Sequence, residues 1–317
     1  MRHVKTYVGV TDGQWHRFLA ARPDITEVNF WQPGGGRDFR ALERDEPFIF
    51  KSKWADGNKL IGGGYFEGFV RLTVTDAWDF FGEGNGVSSL DEMRRQIGRY
   101  RQHQIAPDED PVIGCVLLKK VRFLAEHQRV NAPTDFSRNI VTGKSYAIGT
   151  KGNNPVIDLF VRELAIGVDN ADASQGSLRG VDGPMFGAPR LVVPRLGQGG
   201  FKALVREAYE KRCAVTGHKI VPTLQAAHIV PVSANGEHRL DNGLLLRSDV
   251  HTMFDRGYVG VAPDYTLRVS PRLRSEFGNG DEFYARQGTV ISLPRSDPDR
   301  PNSEFLEWHM DTVFRSS

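Results

Sequence analysis

Three short stretches in the last third of the chain decide the fold. They are Gln225-Ala226-Ala227-His228-Ile229-Val230-Pro231, Asp241-Asn242-Gly243-Leu244-Leu245-Leu246 and Ser248-Asp249-Val250-His251-Thr252-Met253-Phe254-Asp255-Arg256-Gly257. The apolar runs in the first two stretches are typical of strands. The third stretch predicts a helix of about two turns, with Ser248 as its N-cap and Gly257 just beyond its C-terminus. Together they predict a strand–loop–strand–helix unit with a turn at Asn242.

The predicted helix carries two side chains that could share one cation. His251 and Asp255 are four residues apart and therefore lie on one face of the helix. His228 stands on the first strand, and a neutral imidazole can accept a proton at pH 7. Each residue also has an ordinary interpretation, His228 as a hydrogen-bonded core histidine and the other two as a surface pair. His238, in the intervening loop, is interpreted as a solvated residue, with contact to DNA or metal left open.

The stretch from about Cys213 to Val259 resembles the HNH nuclease family, which has the ββα-metal fold. The motifs that carry this resemblance are Ala-Ala-His-Ile, Asn-Gly-Leu-Leu-Leu and His…Phe-Asp-Arg-Gly. The resemblance implies that His228 is the general base that deprotonates water and that Asn242 holds the turn and the base in position. It also implies that His251 and Asp255 bind a divalent metal, for which Mg²⁺ or Mn²⁺ is expected.

Two positions depart from the pattern of that family. Many members place a metal-binding Asp or His directly before the base, where this chain has Ala227. Metal coordination would then depend on the two helix residues, water and the phosphate oxygens of the substrate. The chain has two cysteines, and Cys213 lacks a partner at Thr216, so the structural zinc of some relatives is not expected.

The first part of the chain alternates strand-like runs with turn signals, which predicts a small curved sheet or barrel. The expected strands are Thr6–Val10, Glu27–Trp31, Pro47–Lys51, Tyr65–Val74 and Pro111–Val121, with Gly62-Gly63-Gly64 as a turn before the fourth. Two helices are expected, one after an N-cap at Asp12 and one through Ser89–Arg101.

This part is similar to the EVE-like modules of the PUA superfamily that precede HNH domains in modification-dependent restriction endonucleases. The resemblance implies a sensor that flips a modified base out of double-stranded DNA into an aromatic pocket. Trp31, Pro33 and Trp78 are the candidates for that pocket, since they lie beside turns or strand ends. Core packing is the expected role of most other aromatic residues here.

A linker divides the two parts, because seven glycines and three prolines occupy the 28 positions from Ala173 to Gly200. The expected domains are therefore a sensor over 1–172, a linker over 173–200 and a nuclease over 201–317. The amphipathic run Phe201–Arg212 predicts a helix that opens the nuclease. Basic residues are concentrated around it, which suits either a DNA backbone or a solvated helix face; the candidates are Arg195, Lys202, Arg206 and Arg212.

The whole sequence is thus expected to form an α+β protein with a PUA-like small β-barrel and flanking helices, a linker and a ββα-metal domain. With 317 residues, 25% of them charged, and no long apolar run, a cytoplasmic location is expected and a membrane partner is not. A homodimer is compatible with the sequence.

The favoured interpretation is a metal-dependent DNA endonuclease of type IV-like restriction. It would act on DNA with modified bases, above all modified cytosines such as 5-methylcytosine, in defence against phage or foreign DNA. One alternative is a non-catalytic reader of modified nucleic acid with a degenerate HNH unit. The other is an HNH nuclease whose first domain binds RNA or a nucleotide messenger.

Overall fold

The computed structural model describes residues 5–36, 38–148, 154–161 and 197–316. The chain forms two compact units, Met1–Gly200 and Phe201–Ser317. Each unit has its own buried apolar cluster. Most of the predicted linker, including Arg195, lies outside the described residues. In the described part of the chain, no helix is long and apolar enough to cross a membrane.

The first unit is built on one mixed sheet of seven strands. The strands are β1 (Lys5–Thr11), β2 (Val28–Gln32), β3 (Pro47–Ser52), β4 (Lys59–Thr73), β5 (Val112–Phe123), β6 (Val130–Asn131) and β7 (Gly143–Ala147). Their order is β2-β5-β4-β3-β1-β7, and β6 pairs with β4. The pair β1 and β3 is parallel, and the other pairs are antiparallel. The predicted sheet is therefore present, and its expected strands have limits close to those predicted, except that β4 begins at Lys59 and not at Tyr65.

Helices accompany this sheet. They are α1 (Gly13–Ala20), α2 (Val74–Phe81), α3 (Leu90–Arg101) and α4 (155–161). Both predicted caps are confirmed, since Asp12 accepts hydrogen bonds from the first turn of α1 and Ser89 accepts one from the first turn of α3. The α+β class expected from the sequence is thus confirmed.

The predicted turn at Gly62-Gly63-Gly64 is wrong, because β4 runs straight through the three glycines. Gly62 pairs with both neighbouring strands, opposite Phe50 and Phe123. A Cβ atom on Gly62 would lie within van der Waals overlap of the Arg122 carbonyl oxygen. Glycine is therefore used here for close approach of two strands and for the register shifts that follow, not for a turn.

Aromatic side chains fill the core of the first unit, as expected for most of them. Phe48 and Phe50 are fully buried, and Trp15 is almost so. The Trp15 ring packs edge-on against Phe50, with ring centres 5.3 Å apart. Burial of these large side chains supplies much of the stability of the unit.

The second unit contains the strand–loop–strand–helix arrangement that the sequence predicts. Its elements are α5 (Gln198–Ala208), β8 (Leu224–His228), β9 (Gly243–Arg247), α6 (Ser248–Asp255), β10 (Val259–Val261), β11 (Leu267–Val269), α7 (Pro271–Phe277), α8 (Asp281–Tyr284) and α9 (Ser303–Thr312). The helix expected over Phe201–Arg212 ends earlier, because Glu210 and Lys211 take positive φ angles. Ser248 is the first residue of α6 and not its cap, whereas Gly257 has the expected left-handed conformation, with φ 75°.

Candidate functional site

The candidate catalytic residues lie on a ββα unit formed by β8, β9 and α6. Strands β8 and β9 are antiparallel, with His228 opposite Gly243 at the end that opens into the connecting loop. Helix α6 begins directly after β9. The core side of the pair is apolar, with Ala227 and Leu244 fully buried. This packing fixes the strand ends from which the polar residues project.

His228 is held by two other rings. The Phe201 ring lies flat against the His228 imidazole, with centres 4.0 Å apart and an angle of 12° between the planes. The Nε2 atom of His228 lies 2.9 Å from the Nδ1 atom of His238. The His228 ring is thus restrained on one face and along one edge, which a general base requires.

Asn242 is fully buried and uses both ends of its side-chain amide. Its Oδ1 atom accepts a hydrogen bond from the Val230 amide at 2.8 Å. Its Nδ2 atom donates to the carbonyl oxygens of Val230 and Glu237, at 3.0 and 2.9 Å. The side chain therefore closes the loop between β8 and β9, which leaves it no contact role toward a substrate.

His251 and Asp255 face each other on α6, as their spacing predicts. The His251 Nε2 atom lies 3.4 Å from Asp255 Oδ2. The other ring nitrogen, Nδ1, lies 2.8 Å from Oε1 of Gln225 on β8. Because an amide oxygen can only accept, Nδ1 carries the hydrogen of the neutral ring and Nε2 carries the lone pair. Partial burial raises the pKa of Asp255, and a charge on His251 opposes that effect.

His251 and Asp255 supply two of the ligands that a divalent cation needs. A histidine nitrogen and a carboxylate oxygen converge on one point, and Gln225 holds the other ring nitrogen of His251, as hydrogen-bond acceptors behind metal-binding histidines do. Ala227 is buried and has no donor atom, so it adds no ligand. Within the described ranges no group of three or more candidate ligands converges. Any further ligands would be water or substrate oxygens.

Three residues of this site were missed by the sequence analysis: Phe201, Gln225 and His238. The interpretation of His238 as a solvated loop residue is wrong, because the side chain is half-buried against His228. The Asn242 side chain donates a hydrogen bond to the carbonyl oxygen of Glu237, which holds the loop so that the next residue, His238, lies beside His228. No sequence motif predicts these contacts, since each joins two elements that are distant in the sequence.

The basic residues proposed to contact the DNA backbone differ in their exposure to solvent. Lys202 is exposed and Arg212 is half-buried, so both are accessible in part. Arg206 is only 6% exposed, which corrects its assignment to a surface that meets DNA. Arg206 follows Val205 on α5, and Val205 and Phe201 belong to the core of the unit, so this part of the helix is packed and not exposed.

The first unit contains a cavity of about 720 Å³ with aromatic walls. The rings that line it are Tyr7, Trp15, Phe30, Trp31, Phe39 and Tyr100. Trp31 is fixed by a hydrogen bond from its indole nitrogen to the Asn85 carbonyl oxygen at 3.0 Å. Pro33 also lines the cavity, whereas Trp78 lies on α2 and is not a lining residue. Two of the three pocket candidates thus share one cavity.

One edge of this cavity is polar. The Asp12 carboxylate accepts hydrogen bonds from Lys53 Nζ at 2.8 Å and from the Tyr100 hydroxyl. Burial alone would raise the pKa of Asp12, but these bonds and the Lys53 charge hold it well below its usual range. Both Asp12 oxygens are in use, since the second oxygen caps α1. Lys53 also donates to the Tyr100 hydroxyl oxygen at 3.3 Å, which leaves one ammonium hydrogen as a donor at this edge.

Comparison with known proteins supports the assignment of the second unit. No protein of curated function matches the chain. The ASCH protein from Zymomonas mobilis is similar to part of it, with 13% identity and a TM-score of 0.27 over 40% of this chain and 73% of that chain. A variant of that ASCH protein gives 13% identity and a TM-score of 0.28 over 41% and 77%. Residues 213–262 match the family HNH_2, described as HNH endonuclease. This range includes His228, Asn242 and His251 on the ββα unit, so the chain contains an HNH endonuclease domain.

Proposed function

We propose that the protein is a metal-dependent DNA endonuclease that hydrolyses phosphodiester bonds. The observation that carries this proposal is the ββα unit within the matched range, in which β8 connects the candidate base with the candidate metal pair. Gln225 on β8 contacts His251, and His228 follows three residues later, about 10 Å along the strand.

The roles follow from the chemistry of each group. His228 takes the proton from the attacking water, and Asn242 holds the loop that positions it. His251 and Asp255 would hold a hard divalent ion such as Mg²⁺ or Mn²⁺. When bound, such an ion stabilises negative charge on the phosphate and on the departing oxygen. Lys202 and Arg212 are the described residues of the basic set that remain available to a DNA backbone.

The nuclease proposal is tested with His228→Ala in the full-length protein. Single-turnover cleavage should fall by about a hundredfold or more, because general-base catalysis contributes this much. Binding of DNA should change little. The exposed His218 lies in the same unit, so His218→Ala is the matched control and should cleave normally. Cleavage by His228→Ala at the rate of the unsubstituted protein would overturn the assignment of the base.

The metal pair is tested separately from catalysis. His251→Ala should weaken Mn²⁺ binding, measured by titration without substrate, as well as the cleavage rate. An unchanged Mn²⁺ affinity together with lost activity would show that His251 has another role.

We further propose that the first unit is an EVE-like sensor that receives a flipped modified base, with modified cytosine as the favoured target. Its support is the cavity with rigid aromatic walls and a donor edge. Flipping costs a few kcal/mol, which stacking on aromatic rings can repay at about 1–3 kcal/mol per base. A volume of about 720 Å³ lies in the range of ordinary small-ligand sites. Restriction of phage or other foreign DNA is the biological role that this combination favours.

Binding to paired duplexes at one salt concentration tests the sensor. Trp31→Ala should remove most of the preference for modified over unmodified DNA, since one stacking surface is lost. Trp54 is 48% exposed and does not line the cavity, so Trp54→Ala is a matched control that should keep the preference. Equal affinity of the unsubstituted protein for all duplexes would exclude the sensor and leave the nuclease.

A non-catalytic reader is the second candidate function. This alternative is favoured by the small number of protein ligands. Ala227 supplies none, and a metal held only by His251 and Asp255 would be bound weakly, too weakly to support catalysis. Selective binding of modified DNA without cleavage at saturating Mn²⁺ would decide for this alternative.

A further inference from the structure

We infer that the mouth of the aromatic cavity in the first unit binds DNA phosphates, those on either side of the base that enters the cavity. This inference rests on the proposed sensor function, since it takes the cavity as the site of the flipped base. Three arginines form the surface, which we call the basic rim: Arg40, Arg71 and Arg99.

Arg40 and Arg71 meet at one carboxylate of the cavity. Arg40 and Asp38 both line the cavity, and Arg40 Nη2 lies 2.9 Å from Asp38 Oδ2. The Arg71 Nη2 atom lies 3.0 Å from the other oxygen of Asp38. Two guanidinium groups thus share one carboxylate, which leaves an excess of positive charge. The side chain of Arg40 is 85% exposed and that of Arg71 is 47% exposed, so a phosphate can reach both.

Arg99 lies beside the ring of Tyr100, which lines the cavity. Its guanidinium carbon is 5.5 Å from the centre of the Tyr100 ring, within the range of a cation–π contact. The Tyr100 ring in turn packs edge-on against Trp31, the proposed stacking surface for the base, with ring centres 5.9 Å apart. Arg99 and Tyr100 are both exposed, so this charge lies where the aromatic wall reaches solvent.

The other arginines of α3 already bind protein groups. Arg95 pairs with Glu92, with Nε and Oε2 3.1 Å apart. Arg94 and Arg101 donate to backbone carbonyl oxygens, which ties the helix to neighbouring loops. Arg99 differs from them, because in the described part of the chain its guanidinium has no carboxylate or carbonyl partner. Its charge is therefore available to a ligand.

The charges at the mouth favour an anionic ligand. The two carboxylates that line the cavity, Asp12 and Asp38, each pair with at least one cation. Lys53 and the three arginines of the basic rim outnumber them. A flipped base brings its phosphates to the mouth, because flipping rotates the nucleotide about the backbone. Guanidinium groups bind phosphate oxygens with two parallel hydrogen bonds, so a backbone phosphate suits the basic rim.

The test measures how strongly the full-length protein binds a short duplex with one 5-methylcytosine, in EDTA, from about 50 to 200 mM salt. The logarithm of the binding constant falls linearly with the logarithm of the salt concentration, by about 0.9 for each phosphate neutralised. Arg99→Gln should therefore reduce this slope by about 1. The factor by which it weakens binding should be about three to four times larger at the lowest salt concentration than at the highest.

Arg138→Gln is the matched control, because it removes the same charge from the other face of the sheet. Arg138 is exposed and does not line the cavity. It follows Phe136, which packs with Ile49 of β3. The neighbours of Ile49, Phe48 and Phe50, pack instead in the cluster whose rings line the cavity. Since successive side chains of a strand point to opposite faces, the control should leave the slope unchanged.

A second comparison locates the contact on the DNA. Neutral methylphosphonates replace the two phosphates beside the 5-methylcytosine. They should weaken binding by the unsubstituted protein and by Arg138→Gln. They should weaken binding by Arg99→Gln by a smaller factor, since one partner of the contact is already lost.

The inference is overturned by an unchanged slope in Arg99→Gln or by an equal decrease in Arg138→Gln. Equal sensitivity of Arg99→Gln and the unsubstituted protein to the methylphosphonates would also overturn it. The sensor is judged separately, because equal affinity of the unsubstituted protein for methylated and unmethylated duplexes refutes it. In that case a smaller slope in Arg99→Gln would still support phosphate binding by the basic rim, and an unchanged slope would refute both proposals.

Discussion

Asn242 shows how much a single buried amide contributes to this site. Asn242→Ala removes three hydrogen bonds of a fully buried side chain, two of them to the amide and the carbonyl oxygen of Val230. We expect the second unit to lose about 2–4 kcal/mol of unfolding free energy, measured by hydrogen exchange of its amides. Asn302 caps α9 with one hydrogen bond, so Asn302→Ala should cost about 1 kcal/mol. Equal losses in the two variants would contradict the loop-closing role of Asn242.

At this scale, the sequence indicated the residues but not their contacts. The spacing of His251 and Asp255 predicted a shared helix face, and the structure places their side chains 3.4 Å apart. Helical periodicity makes such local geometry predictable. The Gln225 and His238 contacts depend on how strands and a loop pack together, which no local spacing encodes.

At the scale of one strand, Gly62 is the position where β4 tolerates no side chain. A Cβ atom there would overlap the Arg122 carbonyl oxygen, and the φ angle of 157° is rare for other residues. Gly62→Ala should therefore lower the unfolding free energy of the first unit by about 1–3 kcal/mol. Gly34→Ala is the matched control, because a Cβ atom at Gly34 meets nothing within 4 Å. Thermal unfolding that shows equal stability for both variants would contradict this account.

Helix α9 introduces a pH dependence into the second unit. His309 on α9 is 2% exposed and stacks on Phe254 of α6, and burial lowers its pKa to about 4. An unfolded histidine has a pKa of about 6.5, so only the unfolded chain gains a proton as the pH falls below that value. Stability should decrease between pH 6.5 and 4, by about 3 kcal/mol in total.

His309→Phe keeps the stacked ring and removes the titrating group. It should flatten this part of the stability profile, measured by hydrogen exchange of second-unit amides at several pH values. An unchanged slope in His309→Phe would show that other groups cause the loss.

Sequence patterns predicted most helices and strands. They gave a wrong prediction in β4, where glycines allow two strands to pack closely. The caps at Asp12 and Ser89 have a local chemical cause and were found. The glycines of β4 were taken for a turn because their need arises from Arg122 and Phe123 on the paired strand. The end of α5 was placed four residues late, since an amphipathic pattern gives no sharp limit.

At the scale of the molecule, the two units separate recognition from chemistry in our proposal. Phosphate contacts by residues such as Lys202 position a duplex but distinguish no base. Selectivity must then come from the first unit, through the cavity that Trp31 lines. Each unit has its own apolar core, which is consistent with two functions in one chain.

The most direct test is cleavage by the full-length protein in Mn²⁺, at one salt concentration, of otherwise identical duplexes. The duplexes contain unmodified cytosine, 5-methylcytosine, 5-hydroxymethylcytosine or N6-methyladenine. We expect a duplex with modified cytosine to be cut at least about tenfold faster than the unmodified one, since a stacking contact is worth about 1–3 kcal/mol, and Trp31→Ala to abolish that difference. Equal rates on all four duplexes, or cleavage of none, would contradict the account.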